Sequence, residues 1–430
     1  MLKYKKIKFF YCIAIALLLI VLYNKKNLFM DLNMKLRLSK RALQEDFQGD
    51  FVKMMLEVAA KGNLISFAGG LPNPSSFPVE AVKEACIKVL SNNGAGALQY
   101  NSVDGYLPLR EFIANRYKKR GVNVEASDIV ITNGSQQALD IIASVLVDAG
   151  DNIMLEDPSY LAALQTFHLY NANIQTVNLK EDGADVEEVK NVIEKYNPKF
   201  FYSISTFQNP TGITYTNEVR EKIANIIKKS DTFLVEDNPY GELRFKGEHQ
   251  NSFGKLLGEQ AILLGTFSKT VAPGLRLGWI ASPVKELVTK MKEYKQLVDM
   301  HTNIFSQMVV AEYLKDNDYD EHIKTIIDLY GKQCNCMLEC LDKYMPKDMH
   351  WTHPEGGMFI WATLPKGLDA IELGKRAAEA GVAVTAGEPF YERKRGEGTF
   401  RLNYTNSSFE NIDKGISILA KVIEDMKKSQ

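Results

Sequence analysis

Residues 200–240, FFYSISTFQNPTGITYTNEVREKIANIIKKSDTFLVEDNPY, hold two short apolar runs on either side of a helix-like stretch. The runs at 200–204 and 232–235 are almost continuously apolar, whereas 217–229 has the spacing of an amphipathic helix. Continuous apolar runs are typical of strands covered on both faces, and such strands occur mainly in parallel sheets. The stretch therefore predicts a strand–helix–strand unit of an α/β protein.

The same alternation of apolar runs and helix-like stretches extends over the middle of the chain. After about residue 283 the sequence pattern changes and predicts long helices and a few strands. We predict an α/β fold with a mainly parallel seven-stranded sheet in a large domain at 97–297, and a smaller α+β domain built from 36–96 and 298–430. The other five strands of the large sheet are expected at 128–132, 152–155, 174–179, 261–265 and 277–281. The C-terminal part is expected to contain helices at 284–298, 320–344 and 409–427, and strands at 357–363, 382–385 and 399–404.

Composition places the chain among ordinary globular proteins. It has 430 residues, 45% of them hydrophobic, with 52 Lys and Arg against 53 Asp and Glu. No basic excess exists to neutralise phosphates, so we expect no nucleic-acid partner. Three of the five cysteines, at 334, 336 and 340, lack the two-residue spacer of zinc sites and lie in a helical run, so we expect no metal site.

The N-terminal residues 1–35 form an apolar extension. Its segment 9–23, FFYCIAIALLLIVLY, is flanked by lysines and is shorter than the roughly 20 residues that span a bilayer. An uncleaved anchor, an atypical signal peptide and a spurious start ahead of Met34 all stay open. We expect membrane contact only through 9–23 and otherwise a cytoplasmic protein.

Polar side chains follow the predicted strands at three places. Gly134 and Ser135 stand between a strand and a helix, where free backbone N–H groups and the helix dipole favour an anion. Lys269 follows another strand, seven residues before Arg276, and a lysine that is buried near a cation can lose its proton and act as a nucleophile. Asp237 ends a third strand, and a buried carboxylate needs a cationic partner such as a protonated pyridine nitrogen.

These residues belong to a series of motifs that resembles a known family. The motifs are NPTG at 209–212, Asp237 with Tyr240, Ser268-Lys269 with Arg276, and FRL at 400–402. In this order the chain, from about residue 36 onwards, resembles the fold type I aminotransferases of class I/II, which depend on pyridoxal 5'-phosphate. The runs FAGGLPNP at 67–74, LQY at 98–100 and EGGMF at 355–359 are similar to the subgroup that acts on 2-aminoadipate, kynurenine and aromatic or branched amino acids.

The resemblance implies an activity and roles for residues at the cofactor ring. An α-amino group would pass from such an amino acid to a 2-oxo acid such as 2-oxoglutarate, in a ping-pong cycle between pyridoxal and pyridoxamine phosphate. Lys269 would hold the cofactor as a Schiff base and move a proton, while Asp237 would keep the pyridine nitrogen protonated. Asn209 and Tyr240 would bond the phenolic oxygen, and Tyr160 would stack on the ring.

It also implies roles at the phosphate, at the substrate and between subunits. The residues expected to hold the phosphate are Ser135, Gln136, Ser268 and Arg276. Tyr100 would reach the phosphate of the neighbouring subunit of a homodimer. Arg401 would bind the substrate α-carboxylate with its planar fork, next to a close backbone approach at Gly70.

Two departures and two alternatives remain open. Lys53 stands where the subgroup commonly has an arginine that can pair with a distal substrate carboxylate, which leaves a preference for acidic side chains undecided. Ala386 replaces a usual proline.

A fold type I β- or γ-lyase would use the same Lys269 and Asp237. A non-enzymatic regulator domain that senses the cofactor would need a DNA-binding domain, and the 40 or so residues ahead of the fold are apolar rather than basic.

Overall fold

The computed structural model describes residues 37–39, 41–44, 49, 64–393 and 398–429. Its contacts divide the chain into the units Met1–Glu45 and Asp46–Gln430. In the first unit, Arg41–Leu43 form one turn of 3-10 helix. The apolar segment 9–23 and Lys53 lie outside the described residues, so the predictions made for them stay predictions. Within the described part of the chain, no helix combines the length and the apolar character needed to cross a membrane.

Fourteen strands and twelve α-helices organise the described residues of the second unit. In chain order the strands are β1 (Ile65–Ser66), β2 (Ile129–Thr132), β3 (Asn152–Asp157), β4 (Asn173–Lys180), β5 (Gly183–Ala184), β6 (Phe200–Ser203), β7 (Phe233–Asp237), β8 (Ala261–Thr266), β9 (Gly278–Ala281), β10 (His350–Trp351), β11 (Phe359–Thr363), β12 (Val382–Ala383), β13 (Thr385–Ala386) and β14 (Thr399–Asn403). The helices are α1 (Val79–Ala97), α2 (Leu107–Lys119), α3 (Ser135–Leu146), α4 (Leu161–Leu169), α5 (Val186–Tyr196), α6 (Asn217–Ile227), α7 (Phe253–Leu257), α8 (Lys285–Asp299), α9 (Ile304–Asp316), α10 (Tyr319–Tyr344), α11 (Ala370–Glu379) and α12 (Phe409–Lys428).

The large sheet has the strand order β2-β9-β8-β7-β6-β3-β4-β5. Strands β8, β7, β6, β3 and β4 run parallel, while β9 is antiparallel to both of its neighbours. All seven predicted strands are present and the mainly parallel α/β fold is confirmed. The eighth, β5, is a two-residue antiparallel edge strand that the sequence pattern did not indicate, because so short a strand has no periodicity to detect.

Alternate strand residues enter two apolar clusters. Phe200, Tyr202 and Val235 belong to one cluster, whereas Phe201 and Leu234 belong to the other. This division follows from the two-residue period of a strand, which directs neighbouring side chains to opposite faces of a sheet. Both faces of the central strands are therefore covered, as their continuously apolar sequences predict.

A second, antiparallel sheet of order β10-β11-β14-β13 is built from the C-terminal part of the chain. In it, Arg401 on β14 is paired with Trp361 on β11 and with Thr385 on β13. Strand β1 pairs in parallel with β12, which ties residues 65 and 66 to the C-terminal part. The division into a large domain at 97–297 and a small one stays a prediction, because contacts separate the chain only at residue 45.

A buried ion pair stabilises the centre of the large sheet. Arg220 on α6 is 1% exposed and its Nη1 lies 3.1 Å from Oε1 of Glu236 on β7. Its guanidinium also donates to the carbonyls of Tyr215, Ser205 and Asn251 and to the hydroxyl of Thr206. All five N–H donors are thus used, so that the charge of Glu236 is compensated inside the fold.

We expect Arg220→Met to lower the free energy of unfolding by about 3–5 kcal/mol, because it leaves the Glu236 carboxylate buried without its cation. Urea unfolding followed by circular dichroism measures the change. Lys222→Met is the matched control on the same helix, since Lys222 pairs with Glu218 in solvent, and its unfolding midpoint should stay where it is. An equal loss of unfolding free energy in the two variants would contradict the role given to Arg220.

Candidate active site

The predicted site residues gather where the parallel strands of the large sheet end. Asp237 is the last residue of β7, Lys269 follows β8 by three residues, and Asn209 lies in the turn after β6. Open α/β sheets bind ligands at this edge, because the strand ends leave a crevice that loops and helix N-termini line. Arg401 and Gly70 reach the same crevice from outside this sheet, as their contacts with Asn209 and Lys269 show.

The amine of Lys269 is set up as a nucleophile. Its Nζ donates a 2.8 Å hydrogen bond to the carbonyl of Gly70. Burial, followed by the charges of Arg401 and Arg276, lowers the pKa of Lys269 from 10.5 to about 8. The unprotonated amine, which is the form that attacks carbonyl carbon, is therefore far more abundant near neutral pH than it is for an ordinary lysine.

The carboxylate of Asp237 has one satisfied and one free oxygen. Oδ2 accepts a 2.8 Å hydrogen bond from the hydroxyl of Tyr202, and buried Oδ1 has no hydrogen-bond partner within the described residues. Burial raises the pKa of Asp237 to about 6, while the Tyr202 bond lowers it and the charge of Glu156 raises it. A buried acceptor left without a donor is costly, so Oδ1 marks a place for a ligand donor.

Arg401 is a buried cation between two aromatic faces. Its guanidinium carbon lies 4.2 Å from the ring centre of Phe359 and 5.0 Å from that of Phe390. Nη1 donates to Oδ1 of Asn209 at 2.7 Å and Nη2 to the carbonyl of Ala68 at 2.8 Å. Burial lowers the pKa of Arg401 to about 10, so it stays cationic at neutral pH. Its other N–H donors, Nε included, remain for an anionic ligand.

An anion cradle lies at the N-terminus of α3. Gly134 has φ +78°, a backbone conformation that residues with a side chain rarely adopt, and it lies next to Nη2 of Arg276. Nη2 of Arg276 donates to the carbonyl of Asn133 at 3.1 Å. The buried hydroxyl of Ser135, the first residue of α3, has no hydrogen-bond partner in the described part of the chain. A cation, a helix N-terminus and a free hydroxyl thus converge.

Backbone strain accompanies the cradle. Arg276 adopts φ +53°, a left-handed conformation that non-glycine residues rarely occupy. The hydroxyls of Thr266 and Ser268 lie 2.9 Å apart on the segment leading to Lys269, and Ser268 is buried. The structure therefore places Ser268 and Arg276 on the same β8–β9 connection as Lys269.

The remaining predicted residues, Gln136, Tyr160, Tyr240 and Tyr100, differ in burial and in their contacts. The side chain of Gln136 is exposed and donates to Oγ1 of Thr166, so only its backbone N–H points to the cradle's helix end. Burial raises the pKa of Tyr160, and the charge of Asp237 raises it further. Burial also raises the pKa of Tyr240, whereas its hydrogen bond with Asn209 lowers it. Tyr100 is 74% exposed and its ring packs edge-on against His301.

Two further residues support the site and were missed from the sequence. Nδ2 of Asn403 donates to the carbonyl of Gly69 at 2.6 Å, next to the Arg401 bond to Ala68. Asn403 lies two residues after Arg401 on the same strand, hence on the same face, and this period of two was the available signal. Tyr202, the donor to Asp237, gave no signal, because the partner lies on the neighbouring strand 35 residues away.

Comparisons with known proteins agree with this geometry. Residues 65–419 match the family described as aminotransferase class I and II. The aromatic-amino-acid aminotransferase 1 of Thermococcus litoralis is 42% identical over 88% of this chain and 92% of its own. The multiple substrate aminotransferase of Thermococcus profundus superposes with a TM-score of 0.87 at 38% identity, over 93% of this chain and 100% of that one. The α-aminoadipate aminotransferase LysN of Thermus thermophilus, complexed with N-(5'-phosphopyridoxyl)-L-leucine, gives 0.85 at 36%, over 91% and 98%.

The lowered pKa of Lys269 predicts an unusual pH profile for its reactivity. In the apoprotein, reductive methylation of this amine by formaldehyde and cyanoborohydride should rise with a midpoint at about pH 8, instead of its ordinary 10.5, because only the unprotonated amine reacts. Peptide mass spectrometry gives the rate at each pH. Arg401→Met removes one of the two cations that lower the pKa, so the midpoint should move upward in that variant. A midpoint near 10.5 in the unaltered chain would refute the assignment.

Proposed function

The chain belongs to the aminotransferase class I and II family, and from this premise we propose that it transfers the α-amino group of an aromatic, branched or 2-aminoadipate type of amino acid to a 2-oxo acid such as 2-oxoglutarate. It is a pyridoxal 5'-phosphate-dependent aminotransferase, as the matched family and its relatives are. The observation that carries the proposed amino transfer is the Lys269 amine, whose pKa is lowered to about 8 by burial and by the charges of Arg401 and Arg276.

The residues present fit the cofactor at both of its polar ends. The buried hydroxyl of Ser135 and Oδ1 of Asp237 have no partner in the described residues, and the cofactor supplies an anionic phosphate for one and a protonated ring nitrogen for the other. We propose that Ser135, the backbone N–H of Gln136, Ser268 and Arg276 hold the phosphate. Each of them is a donor, which a phosphate requires.

Residues around the ring would orient it and adjust its charge. Asp237 would accept a hydrogen bond from the ring nitrogen through Oδ1, and its negative charge favours a proton on that nitrogen. Asn209 and Tyr240 would donate to the phenolic oxygen, in keeping with their bond to each other. Tyr160, which is partly buried, would cover one face of the ring.

When bound, pyridoxal 5'-phosphate supplies an aldehyde that takes up the amino group and a ring that accepts electron density from the substrate Cα. Lys269 would hold the cofactor through its unprotonated amine, and the same amine would take and return the proton of the substrate Cα. Arg401 binds the substrate α-carboxylate with the donors that Asn209 and Ala68 leave free. The bond from Lys269 to the Gly70 carbonyl would keep this amine aimed across the crevice.

The surroundings of Arg401 support an apolar substrate side chain. Phe390 covers its guanidinium, and Trp361 and Tyr391 form one buried cluster with Phe390. Leu161 packs against the same cluster. An aromatic or branched side chain next to the bound carboxylate would bury apolar surface here. Lys53, which could bind a distal carboxylate, lies outside the described residues, so a preference for 2-aminoadipate depends on a residue that the structure does not place.

The experiment that tests the function is a set of single-turnover half-reactions followed by cofactor absorbance. Phenylalanine, tyrosine, leucine, kynurenine and 2-aminoadipate should convert the bound cofactor to pyridoxamine phosphate, and 2-oxoglutarate should convert it back. Lys269→Ala should abolish turnover while retaining noncovalent cofactor, because the phosphate donors remain. Borohydride followed by mass spectrometry should attach the cofactor mass to Lys269 in the unaltered chain and to no residue of the variant.

Lys315→Ala is the control, since Lys315 is a lysine 71% exposed in its side chain, and it should leave every half-reaction unchanged. Release of ammonia and a 2-oxo acid from a β-substituted amino acid, without pyridoxamine phosphate, would favour the β- or γ-lyase alternative. Cofactor binding without any half-reaction would favour the sensing domain.

We also propose that the enzyme is a cytoplasmic homodimer in which Tyr100 reaches the partner's phosphate site. Tyr100 and Leu98 are about three quarters exposed at 74% and 76%, Leu297 is 86% exposed, and Met300 is half exposed. Tyr100 contacts His301, the neighbour of Met300, so these apolar side chains lie near one another. These exposed apolar side chains would be removed from water if a second copy of the chain packed against them, and a homodimer is the commonest such assembly.

Mixing two inactive or weakened variants tests the dimer. Tyr100→Phe alone should weaken cofactor retention by about tenfold, the effect of one hydrogen bond to a charged group. In a mixed dimer of Tyr100→Phe and Lys269→Ala subunits, one site has the native Lys269 and receives the partner's native Tyr100, so that site should regain full cofactor affinity and turnover. Failure of the mixed dimer to regain them, or a fully active monomer in sedimentation, would overturn the proposal.

A further inference from the structure

The hydroxyl of Tyr202 is committed to Asp237. Tyr202 lies on β6, directly beside β7, and is 0% exposed. Its hydroxyl donates to Oδ2 of Asp237 at 2.8 Å, and this is its one hydrogen bond within the described residues. The ring packs edge-on against Phe167 with 5.8 Å between ring centres, so the phenol cannot turn away without disturbing the core.

This bond decides which oxygen of Asp237 faces a ligand. With Oδ2 held by Tyr202, the carboxylate cannot rotate freely, and Oδ1 is left as the acceptor. Because the phenol has no other acceptor among the described residues, its hydroxyl hydrogen stays on the side of Asp237. Tyr202 is therefore a fixed donor to the same carboxylate that is proposed to meet the ring nitrogen.

The electrostatic surroundings make this donor important. Burial raises the proton affinity of Asp237, and the carboxylate of Glu156 on β3 raises it further. Glu156 is itself buried and accepts hydrogen bonds from Ser203, Ile204, Tyr215 and Gln208, so it is a fully bonded carboxylate. Tyr202 provides the bond that opposes both effects, since a hydrogen bond to the charged form of a carboxyl group favours that form.

We propose, on the basis of the function above, that Tyr202 is a positioning residue which orients Asp237 and, by stabilising its carboxylate, keeps the shared proton on the ring nitrogen of the cofactor. No bond between heavy atoms would change: with the cofactor bound, Oδ1 of Asp237 and the ring nitrogen would share one proton, and Tyr202 would bias its position toward the nitrogen. A ring nitrogen that keeps its proton accepts electron density from the substrate Cα more strongly.

The test is Tyr202→Phe, which removes the hydroxyl and keeps the ring that packs on Phe167. With cofactor labelled with ¹⁵N at the ring nitrogen, the nitrogen resonance of the holoenzyme should shift toward that of an unprotonated pyridine. We expect kcat to fall by about tenfold, the scale of one hydrogen bond to a charged group, while KM for the amino acid stays unchanged because Arg401 is untouched. Tyr404→Phe is the matched control, since Tyr404 is also 0% exposed and donates to the Gly356 carbonyl, and it should not shift the resonance.

A double-mutant cycle with Asp237→Asn separates action through Asp237 from general damage. In the Asp237→Asn background, adding Tyr202→Phe should change neither the ¹⁵N resonance nor kcat further, because the carboxylate on which Tyr202 acts is gone. Independent, additive losses would overturn the proposal. So would an unshifted resonance in Tyr202→Phe itself.

A second variant keeps the test decisive if Tyr202→Phe folds poorly. Replacing Tyr202 with 3-fluorotyrosine retains the ring and strengthens the hydroxyl as a donor, so the ring nitrogen should stay protonated to at least the native extent. A shift toward the unprotonated resonance would refute the role. The two proposals can be overturned independently. The proposed function is wrong if the unaltered chain performs no half-reaction. The role of Tyr202 is wrong if the unaltered chain is active and Tyr202→Phe has the same ¹⁵N resonance and the same kcat.

Discussion

Burial of ionisable groups at one end of the large sheet is the constraint on which the chemistry of this protein depends. Removal from water lowers the pKa of Lys269 to about 8 and that of Arg401 to about 10, and raises that of Asp237 to about 6. Each shift favours the less charged form, because a low-polarity environment penalises charge. Lys269 and Asp237 are thereby brought toward the pH range in which protons can move between partners, whereas Arg401 stays cationic at neutral pH.

The scaffold compensates for these buried charges with layers of donors and acceptors. Beneath the site, Arg220 neutralises Glu236 with all five of its donors, and Glu156 receives four hydrogen bonds. Asp237 is the exception, with one oxygen satisfied and the other free. In the crevice, this unsatisfied acceptor is a position that a ligand donor can complete. The free hydroxyl of Ser135 follows the same logic at the other end of the cofactor.

Parts of the chain that are far apart in sequence complete the crevice. The segment at 67–71 is held by β14, since the backbone N–H of Asn403 donates to the carbonyl of Phe67 and its side chain to that of Gly69. The same segment presents the Gly70 carbonyl to Lys269 from the large sheet. Any shift of β14 would therefore move both Arg401 and the acceptor of the Lys269 amine. This coupling links the carboxylate-binding cation to the nucleophile through one short stretch of backbone.

The local sequence pattern determined the fold class, the positions of the main strands and several site residues of this protein. Continuous apolar runs marked all seven main strands, and positions just past them marked Lys269 and Asp237, because the hydrophobic period and the strand ends are written in neighbouring residues. Asn209 was predicted only from the resemblance of its NPTG motif to the family. Only the tertiary structure decided that Tyr202 bonds Asp237, that Phe359 and Phe390 enclose Arg401, and that the side chain of Gln136 turns away to Thr166. Apart from the contact of Phe390 with Arg401, these contacts join residues separated by 30 or more positions. Their geometry depends on strand order and packing, which no local period encodes.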